Sequence, residues 1–427
     1  MQGTLLLCIP VPLSSYKVKR KRSVPKLSRL LKFRACVLPA LFLLLFCGCA
    51  SMEKIESYPE SAEVVLPQIT SVTEAEPEET TTTTTTNVYT PPDDYRLASV
   101  LEEMSVRDKA AQMMLVSTSD ETFAKKCASE GAGGLCLFAG AFEKKDADAV
   151  KRMTAGFQSV SAVPLLISVD EEGGTVNRVS LNPKLRETKF QSPKALYEEG
   201  GWGAVRKDTE EKAALLLTLG INSNLAPVCD VPTKKTDYIA PRSFSTDATE
   251  TTSYVMTVVA AMRDMRLGST LKHFPGYGGS SDTHKNTAYD NRSMEVFQER
   301  DFKPFRAGIE NGADSVMISH NIVKCMDPDH PASLSPAVHR ILREELGFRG
   351  VIISDDLGMN AITKYADGEN PAVEAVLAGN DLLCYAKFEE SVDAIVKAVE
   401  DGEIEESRLD ASVLRILNWK KSIGLLK

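Results

Sequence analysis

The cysteines of this chain are not spaced for a structural role. Of the nine cysteines among 427 residues, five follow residue 94: Cys127, Cys136, Cys229, Cys325 and Cys384. An odd number without paired spacing makes neither a disulfide framework nor a zinc site. Because most of the five have apolar neighbours, we expect them to be small residues of a buried core.

Positive charge is in deficit as well. The chain has 50 Lys and Arg residues against 59 Asp and Glu residues, which gives a formal net charge of −9 at pH 7. Such a balance argues against a polyanion such as nucleic acid as the main partner. The sequence also lacks the G-x-G-x-x-G turn that a dinucleotide-binding open sheet would carry after an early strand.

The beginning of the chain resembles an export signal. Lys and Arg cluster over residues 17–34, an apolar run covers residues 35–46, and small residues follow at 48–51. This order is typical of a signal peptide, and the run is shorter than the roughly 20 residues of a transmembrane span. The Gly-Cys junction resembles a bacterial lipobox, so residues 1–49 are the predicted signal region and Cys49 the predicted lipidation site. Phe46 stands where that motif usually has Leu.

Two outcomes are open for this segment, namely lipidation after cleavage or an uncleaved signal anchor. Both predict a protein exported and tethered to the outer face of the bacterial cytoplasmic membrane, with secretion as a further option. Residues 50–94 form a predicted linker, because they are rich in Glu and Pro and contain a threonine run over 80–86. Such a segment buries little apolar surface and behaves as a solvated tether. The predicted folded domain therefore spans residues 95–427.

Eight short apolar runs alternate with helical segments in that domain. The runs are Met113–Val116, Gly134–Phe138, Leu165–Val169, Asn222–Pro227, Ser269–His273, Ser315–Ser319, Val351–Ser354 and Asp381–Cys384. Such runs are typical of strands covered on both faces, as in a parallel sheet. Helical spacing is clearest at 147–157, 210–219, 252–265 and 371–378, and a further helix is predicted over 336–346 between a Ser335 cap and a Gly347 stop. Eight alternations predict an α/β fold, a single (β/α)8 TIM-type barrel, with a doubly wound open sheet as the alternative.

Polar side chains stand where the predicted strands end. The third to seventh runs end in, or are followed by, Asp170, Asp230, Lys272 with His273, His320 and Asp355. Barrel enzymes build their sites from the carboxyl ends of the strands, so these groups should converge on one mouth.

One of these residues, Asp355, and two residues of the loop after the fifth run, Asp282 and His284, suit the cleavage of a glycosidic bond. A retaining glycosidase needs a carboxylate that attacks the anomeric carbon and a donor that protonates the leaving oxygen. Asp355 fits the first role, with a helix cap as its alternative, whereas Asp356 lies further into the turn and is expected to be the cap. His284 fits the second role, since an unperturbed pKa of about 6.5 allows it to give and take a proton. Asp282 can accept a hydrogen bond from that ring, and an incidental pair in a solvated loop is the alternative.

Further residues are candidates for binding sugar hydroxyls, because charged groups can make bidentate hydrogen bonds to them. They are Asp170, Arg178, Arg242, Lys272 and His273. For the two arginines, a surface ion pair is the alternative.

A family resemblance covers the whole of residues 95–427. It is carried, in order, by Val169-Asp170-Glu171-Glu172-Gly173-Gly174, Pro241-Arg242-Ser243-Phe244, Lys272-His273-Phe274-Pro275-Gly276, Asp282-Thr283-His284 and Ser354-Asp355-Asp356-Leu357-Gly358-Met359. These segments resemble glycoside hydrolase family 3, most closely its β-N-acetylglucosaminidase branch. The resemblance implies a (β/α)8 barrel, a retaining mechanism, no metal or other cofactor, and terminal β-linked N-acetylglucosamine as substrate.

The same resemblance assigns roles to individual residues. Asp355 is the implied nucleophile, and Asp282 with His284 supplies acid and base. The implied sugar-binding residues are Asp170, Arg178, Arg242, Lys272 and His273, with His320 near the site. The chain departs from the family pattern at Tyr277, where His is usual, at Gly279, where Asp is common, at Thr175, where Arg is common, and at residues 286–288, which lack a Pro.

The predicted function is therefore an exo-acting, retaining hydrolase that removes N-acetylglucosamine from cell-wall muropeptides or chitin-type oligosaccharides. A phosphorylase is one alternative, because a His acid–base repels phosphate less than Glu would. A sugar-binding lipoprotein without catalysis is another, although it would have no use for Asp355, Asp282 and His284. A metal-dependent barrel hydrolase is disfavoured because no His-x-His closes the first strand.

Overall fold

The computed structural model describes residues 95–283, 287–366 and 370–426. The predicted signal region 1–49 with Cys49, the predicted linker 50–94 and His284 lie outside these residues. The strands are β1 (Met114–Thr118), β2 (Gly134–Leu137), β3 (Leu166–Val169), β4 (Ser223–Asn224), β5 (Gly268–Phe274), β6 (Tyr289–Asp290), β7 (Ser315–Ile318), β8 (Ile322–Val323), β9 (Val351–Ser354) and β10 (Leu382–Cys384).

Eight of these strands close a barrel. Its order is β1-β10-β9-β7-β5-β4-β3-β2, and every neighbouring pair is parallel. The remaining two, β6 and β8, form a separate two-stranded sheet. The prediction of a (β/α)8 barrel is confirmed, and the open-sheet alternative is wrong because the first and last strands pair.

Helices surround the barrel. They are α1 (Tyr95–Glu102), α2 (Val106–Gln112), α3 (Glu121–Ser129), α4 (Ala147–Gln158), α5 (Pro193–Thr218), α6 (Ala248–Asp264), α7 (Met294–Val296), α8 (Phe302–Glu310), α9 (Pro336–Arg340), α10 (Asn360–Tyr365), α11 (Ala372–Ala378), α12 (Phe388–Glu400) and α13 (Glu406–Ser422). Short 3-10 turns lie at Ala139–Phe142 and Ala332–Leu334, and π turns at Phe297–Asp301 and Ile341–Glu345. No helix within the described ranges combines the length and apolar character needed to cross a membrane.

Short polar side chains set the starts of successive helices. Ser105, Asp120, Asp146, Ser192 and Asp247 each accept a backbone N–H at the first turns of α2, α3, α4, α5 and α6. Such caps satisfy donors that the helix itself cannot pair, and each contributes about 1 kcal/mol. They fix the residue at which each of these five helices begins.

Three sequence expectations need adjustment. The predicted helix over 336–346 is capped by Ser335 as expected, but it passes from α9 into a π turn before Gly347, whose φ is 70°. The fourth strand has two residues, not six, and Pro227 near its end has no N–H for the ladder. Four of the five cysteines are buried, whereas Cys325 is exposed in the turn that follows β8, so its assignment to the core is wrong.

The burial of His339 on α9 predicts a pH dependence of the folding stability. The residue is buried, its Nδ1 donates to the carbonyl of Ser335 at 2.8 Å, and burial lowers its pKa to about 4. The unfolded chain would protonate this ring near pH 6.5, while the native ring stays neutral to about pH 4. Stability should therefore fall by about 3 kcal/mol between these pH values and then level off.

The variant His339→Asn, which can keep the bond to Ser335, should lose this part of the pH dependence. Urea unfolding of both proteins from pH 7.5 to 4 measures it. Equal slopes in the two proteins below pH 6.5 would contradict the assignment to His339.

Candidate active site

A pocket of about 450 Å³ opens at the carboxyl ends of the barrel strands. Six of the predicted site residues line it together: Asp170, Arg178, Arg242, Lys272, His273 and Asp355. Asp170 directly follows β3 and Asp355 directly follows β9, whereas Lys272 and His273 lie inside β5, which runs to Phe274. Groups spread over nearly two hundred residues are thus brought to one cavity by the barrel.

Lys272 is the centre of the charged network. Its side chain is 1% exposed, and its Nζ lies 2.6 Å from Asp170 Oδ1 and 2.6 Å from Glu172 Oε1. Arg242 donates through Nε and Nη2 to the two oxygens of Glu172, at 3.0 and 2.7 Å. Both arginines do form ion pairs, but within the pocket wall, since Arg178 Nη2 contacts Asp170 at 3.3 Å.

These contacts fix the charges of the network. Burial alone would raise the pKa of Glu172, but Lys272 and Arg242 hold that pKa well below its ordinary range. Burial would likewise lower the pKa of Lys272, yet the charges of Asp170 and Glu172 raise it. The pKa of Arg242 is raised in the same way by Glu172 against the effect of burial. The wall of the pocket therefore presents fixed, oriented donors and acceptors for hydroxyl groups.

His273 is oriented by Asp230. Its Nδ1 lies 2.7 Å from Asp230 Oδ2, and that fully buried carboxylate also accepts the backbone N–H of His273 and of Tyr277. The Nε2 atom lies 3.2 Å from Arg242 Nη2, which can only donate. Nδ1 therefore carries the hydrogen, and the ring is held with its Nε2 edge toward the arginine.

The Ser354-Asp355-Asp356 segment crosses the pocket floor. The N–H of Asp355 donates to Ile318 O at 2.9 Å, and its Oδ1 accepts from the N–H of Asp356. Asp356 accepts from Gly358 N at 2.8 Å inside a turn, while α10 begins only at Asn360, with Met359 as its N-cap. The expectation that Asp356 caps a helix is therefore wrong. Burial raises its pKa, partly offset by the N–H of Gly358.

His320 supports this segment from behind the pocket lining. It is completely buried, its Nε2 lies 3.0 Å from the carbonyl of Asp356, and its Nδ1 lies 2.7 Å from Ser333 Oγ. A carbonyl can only accept, so Nε2–H donates and Nδ1 takes the serine hydroxyl. The structure therefore places His320 against the backbone next to Asp355.

The loop after β5 places Asp282 at the side of the pocket. Asp282 is half-buried and hydrogen-bonds the phenol of Tyr238, a residue of the pocket lining. The pKa of Tyr238 is raised, first by burial and also by the charge of Asp282. Tyr277, which departs from the family pattern, is buried and its hydroxyl lies 2.5 Å from Thr283 Oγ1, adjacent to Asp282. Two tyrosines thus hold the described end of this loop.

Two glycines in the same loop occupy positions where a larger residue would be strained or would clash with Arg292. Gly276 and Gly278 have φ values of 120° and 51°, which side chains rarely adopt. A Cβ on Gly278 would lie 2.4 Å from the guanidinium carbon of Arg292, and that guanidinium donates to the carbonyl of Gly276 at 3.0 Å. Arg292 is in turn paired with Asp290 and Asp301. The loop therefore turns tightly around the half-buried Arg292.

Sequence reasoning missed three residues of the site. Glu172 lies in a segment that carries the family resemblance but was not predicted as a site residue, although it accepts from both Lys272 and Arg242. Phe138 lines the pocket, and the rule applied to the other strands could have found it, because it follows β2 directly. Tyr238 also lines the pocket, but nothing in its local sequence marks it.

The side chains in the described part of the chain do not form a metal-binding cluster. Within residues 95–283, 287–366 and 370–426, no group of three or more His, Cys, Asp or Glu side chains is placed to hold an ion. Here the carboxylates of Asp170 and Glu172 already face Lys272 and the two arginines. The pocket combines the carboxylates of Asp355 and Asp356 with a wall of charged hydrogen-bonding groups, an arrangement suited to a polar ring.

The sequence of this chain is similar to those of known proteins. Residues 105–419 match the family model described as the glycosyl hydrolase family 3 N terminal domain. A protein named beta-hexosaminidase from Xanthomonas campestris pv. campestris (strain B100) is 35% identical over 279 residues, which are 62% of this chain and 81% of that protein. Another of that name, from Stenotrophomonas maltophilia (strain K279a), is 35% identical over 306 residues, 68% of this chain and 87% of its own length.

A solved structure agrees with these relatives. It is that of a glycoside hydrolase family 3 beta-N-acetylglucosaminidase from Paenibacillus sp. str. FPU-7, with a TM-score of 0.71 and 32% identity. The matched region covers 75% of this chain and 63% of that one. The present chain thus spans less than two thirds of the solved protein.

Proposed function

The chain belongs to glycosyl hydrolase family 3, and we propose that this glycosidase is a retaining exo-β-N-acetylglucosaminidase with Asp355 as its nucleophile. The proposed substrates carry a terminal β-linked N-acetylglucosamine, in cell-wall muropeptides or chitin-type oligosaccharides. The observation that carries the proposal is that Asp355 lines the same pocket as the charged network of Lys272, Arg242 and Asp170. A sugar ring held by that network could present its anomeric carbon to Asp355, whereas the neighbouring carboxylate of Asp356 is engaged by the N–H of Gly358.

The proposed reaction has two steps. First, a carboxylate oxygen of Asp355 bonds to the anomeric carbon while the bond from that carbon to the leaving oxygen breaks, and His284 gives a proton to that oxygen. Second, water attacks the same carbon, His284 takes the proton from water, and Asp355 leaves as a free carboxylate. Asp282 would hold the His284 ring and stabilise its charged form, as the carboxylate of a Ser-His-Asp triad does. The contact of Asp282 with Tyr238 supports a place for this pair beside the pocket.

A release assay with the full chain tests the function. Nitrophenyl β-N-acetylglucosaminide and the matching β-glucoside are each offered with and without phosphate. We expect fast release from the first substrate only, at a rate indifferent to phosphate. A rate that rises with phosphate, with sugar 1-phosphate as product, would make the protein a phosphorylase. Binding of the sugar without release would make it a sugar-binding protein.

We also propose that the chain is exported and anchored to the outer face of the cytoplasmic membrane through lipidated Cys49. The basic, apolar and small-residue order of residues 17–51 supports this. The variant Cys49→Ser should then lose its lipid and partition away from the membrane fraction. Membrane retention of that variant would favour an uncleaved signal anchor, and recovery of the original protein in the medium would show secretion.

A further inference from the structure

We propose that Cys136 and Cys384 form a dithiol site in the lining of the pocket, and that trivalent arsenic bound across the two sulfurs stops the glycosidase. The site goes beyond the proposed function, because neither cysteine takes part in breaking the glycosidic bond. Only the activity readout of its test rests on that function.

The two cysteines meet inside the pocket. Cys136 lies on β2 and Cys384 is the last residue of β10, and both line the pocket together with Asp355 and Asp356. Their thiols are free, and the two residues are only 2% and 3% exposed. The two thiols are hydrogen-bonded to each other. The pair is therefore in contact within the cavity in which the reaction is proposed to take place.

The register of the barrel explains this contact. Strands β2 and β10 flank β1, on which Ser117 lies beside Cys136 and Leu115 beside Cys384. Inward side chains of alternate strands share a layer of a barrel, and an offset along the middle strand is the stagger that tilted strands require. The two cysteines thus point into the barrel at one level.

A disulfide does not suit this arrangement. Because β1 lies between them, the two backbones are two strand spacings apart, about 9 Å in all, whereas a disulfide requires Cα atoms within about 7 Å. One atom inserted between the sulfurs lengthens the bridge and removes the mismatch. The site therefore suits a thiophilic centre that bonds to two sulfurs at once.

Charge favours a neutral centre over a metal cation. The hydrogen bond with Cys136, followed by burial and the charges of the nearby pocket carboxylates, raises the pKa of Cys384 well above its ordinary range, so this thiol stays protonated at neutral pH. A metal cation would have to displace the thiol protons, and the described residues offer it no group of three or more His, Cys, Asp or Glu ligands.

Arsenous acid, As(OH)3, needs no such change of charge. Two S–As bonds form, two S–H and two As–O bonds break, and two molecules of water leave, while arsenic stays trivalent. Both reactants and products are neutral, so no new charge is buried beside Asp355 and Asp356. The bound arsenic would then stand in the pocket lining near the proposed nucleophile, where the sugar ring has to be seated.

Inhibition by arsenite tests the site. The full chain is incubated with arsenite until its activity is constant, because a thiol with a raised pKa reacts slowly. We expect the initial rate on the nitrophenyl substrate to fall by about 100-fold or more, since a displacement of about 1 Å at reacting groups already costs that much. Dithiothreitol should restore the rate, whereas mercaptoethanol at an equal thiol concentration should not, because only a dithiol matches the two-point attachment.

Variants locate the bound arsenic. Cys136→Ser and Cys384→Ser, each compared with and without arsenite, should be insensitive to it and should bind one arsenic fewer by intact mass. The matched control Cys325→Ser removes an exposed thiol after β8 and should stay as sensitive as the original protein.

Three outcomes would overturn the proposal. They are an original protein that arsenite does not inhibit, inhibition that persists in either pocket variant, and reversal by mercaptoethanol as complete as that by dithiothreitol. Failure of the proposed function is distinguishable, because the nitrophenyl substrate would then remain uncleaved without arsenite, while the count of bound arsenic would still decide whether the dithiol site exists.

Discussion

Asp355→Asn should lower kcat by about four to six orders of magnitude, the loss seen when a covalent nucleophile is removed. An amide oxygen cannot form the glycosyl ester, so the first step has no acceptor for the sugar. The fold should survive, since the amide oxygen can still accept from the N–H of Asp356 and the backbone bond to Ile318 is untouched. Unchanged thermal unfolding together with near-complete loss of nitrophenol release would be the expected result.

Replacement of Asp355 by alanine tests whether the lost group is the nucleophile. In Asp355→Ala the space of the carboxylate is vacant, so added azide can attack the anomeric carbon of an activated substrate. The product should be the α-glycosyl azide, because one displacement inverts the centre that two displacements would retain. Asp356→Asn is the comparison, and we expect it to lose far less activity, because its carboxylate is engaged with Gly358. A variant Asp355→Ala that keeps most of its activity would show that the nucleophile is another group.

The barrel could be predicted because its strands are short apolar runs between polar breaks. The seventh run, Val351–Ser354, matches β9 residue for residue, and the third differs from β3 by one residue. The expectation that polar groups at strand ends converge predicted that Asp170 and Asp355 lie in one cavity, and the structure places them together there. Burial on both faces is what makes such runs visible in a sequence.

The partners of these residues could not be predicted in the same way. Asp170 and Lys272 are 102 positions apart, and Glu172 and Arg242 are 70 positions apart. Their pairing depends on which strand ends are neighbours in the closed barrel and on the path of the loops. Neither produces a recognisable spacing of residues in the sequence. The Asp230–His273 bond and the contact of Tyr277 with Thr283 are of the same kind. Residue type and position in the sequence were enough to select the candidate site residues. The contacts between them can be read only from the fold.

The second large effect is expected from Lys272→Met. The change removes the cation between Asp170 and Glu172 and leaves two largely buried carboxylates close together, with the arginines as their remaining partners. Breaking a buried ion pair in this way costs about 3–5 kcal/mol of folding stability. We also expect kcat/KM to fall by about 100-fold or more, because the network that would hold the sugar hydroxyls loses its centre.

A matched lysine separates these two consequences. Lys109 on α2 is also mostly buried between two carboxylates, with Nζ 2.6 Å from Glu406 and 2.7 Å from Asp410, but it lies outside the pocket lining. Lys109→Met should lower the unfolding midpoint, by less than Lys272→Met because its partners are 49% and 38% exposed, and it should leave kcat/KM unchanged. Urea unfolding and initial rates on the nitrophenyl substrate measure both quantities in both variants. If Lys272→Met lost stability but kept its kcat/KM, the buried network would serve the fold alone, and sugar binding would have to be assigned to other groups of the pocket.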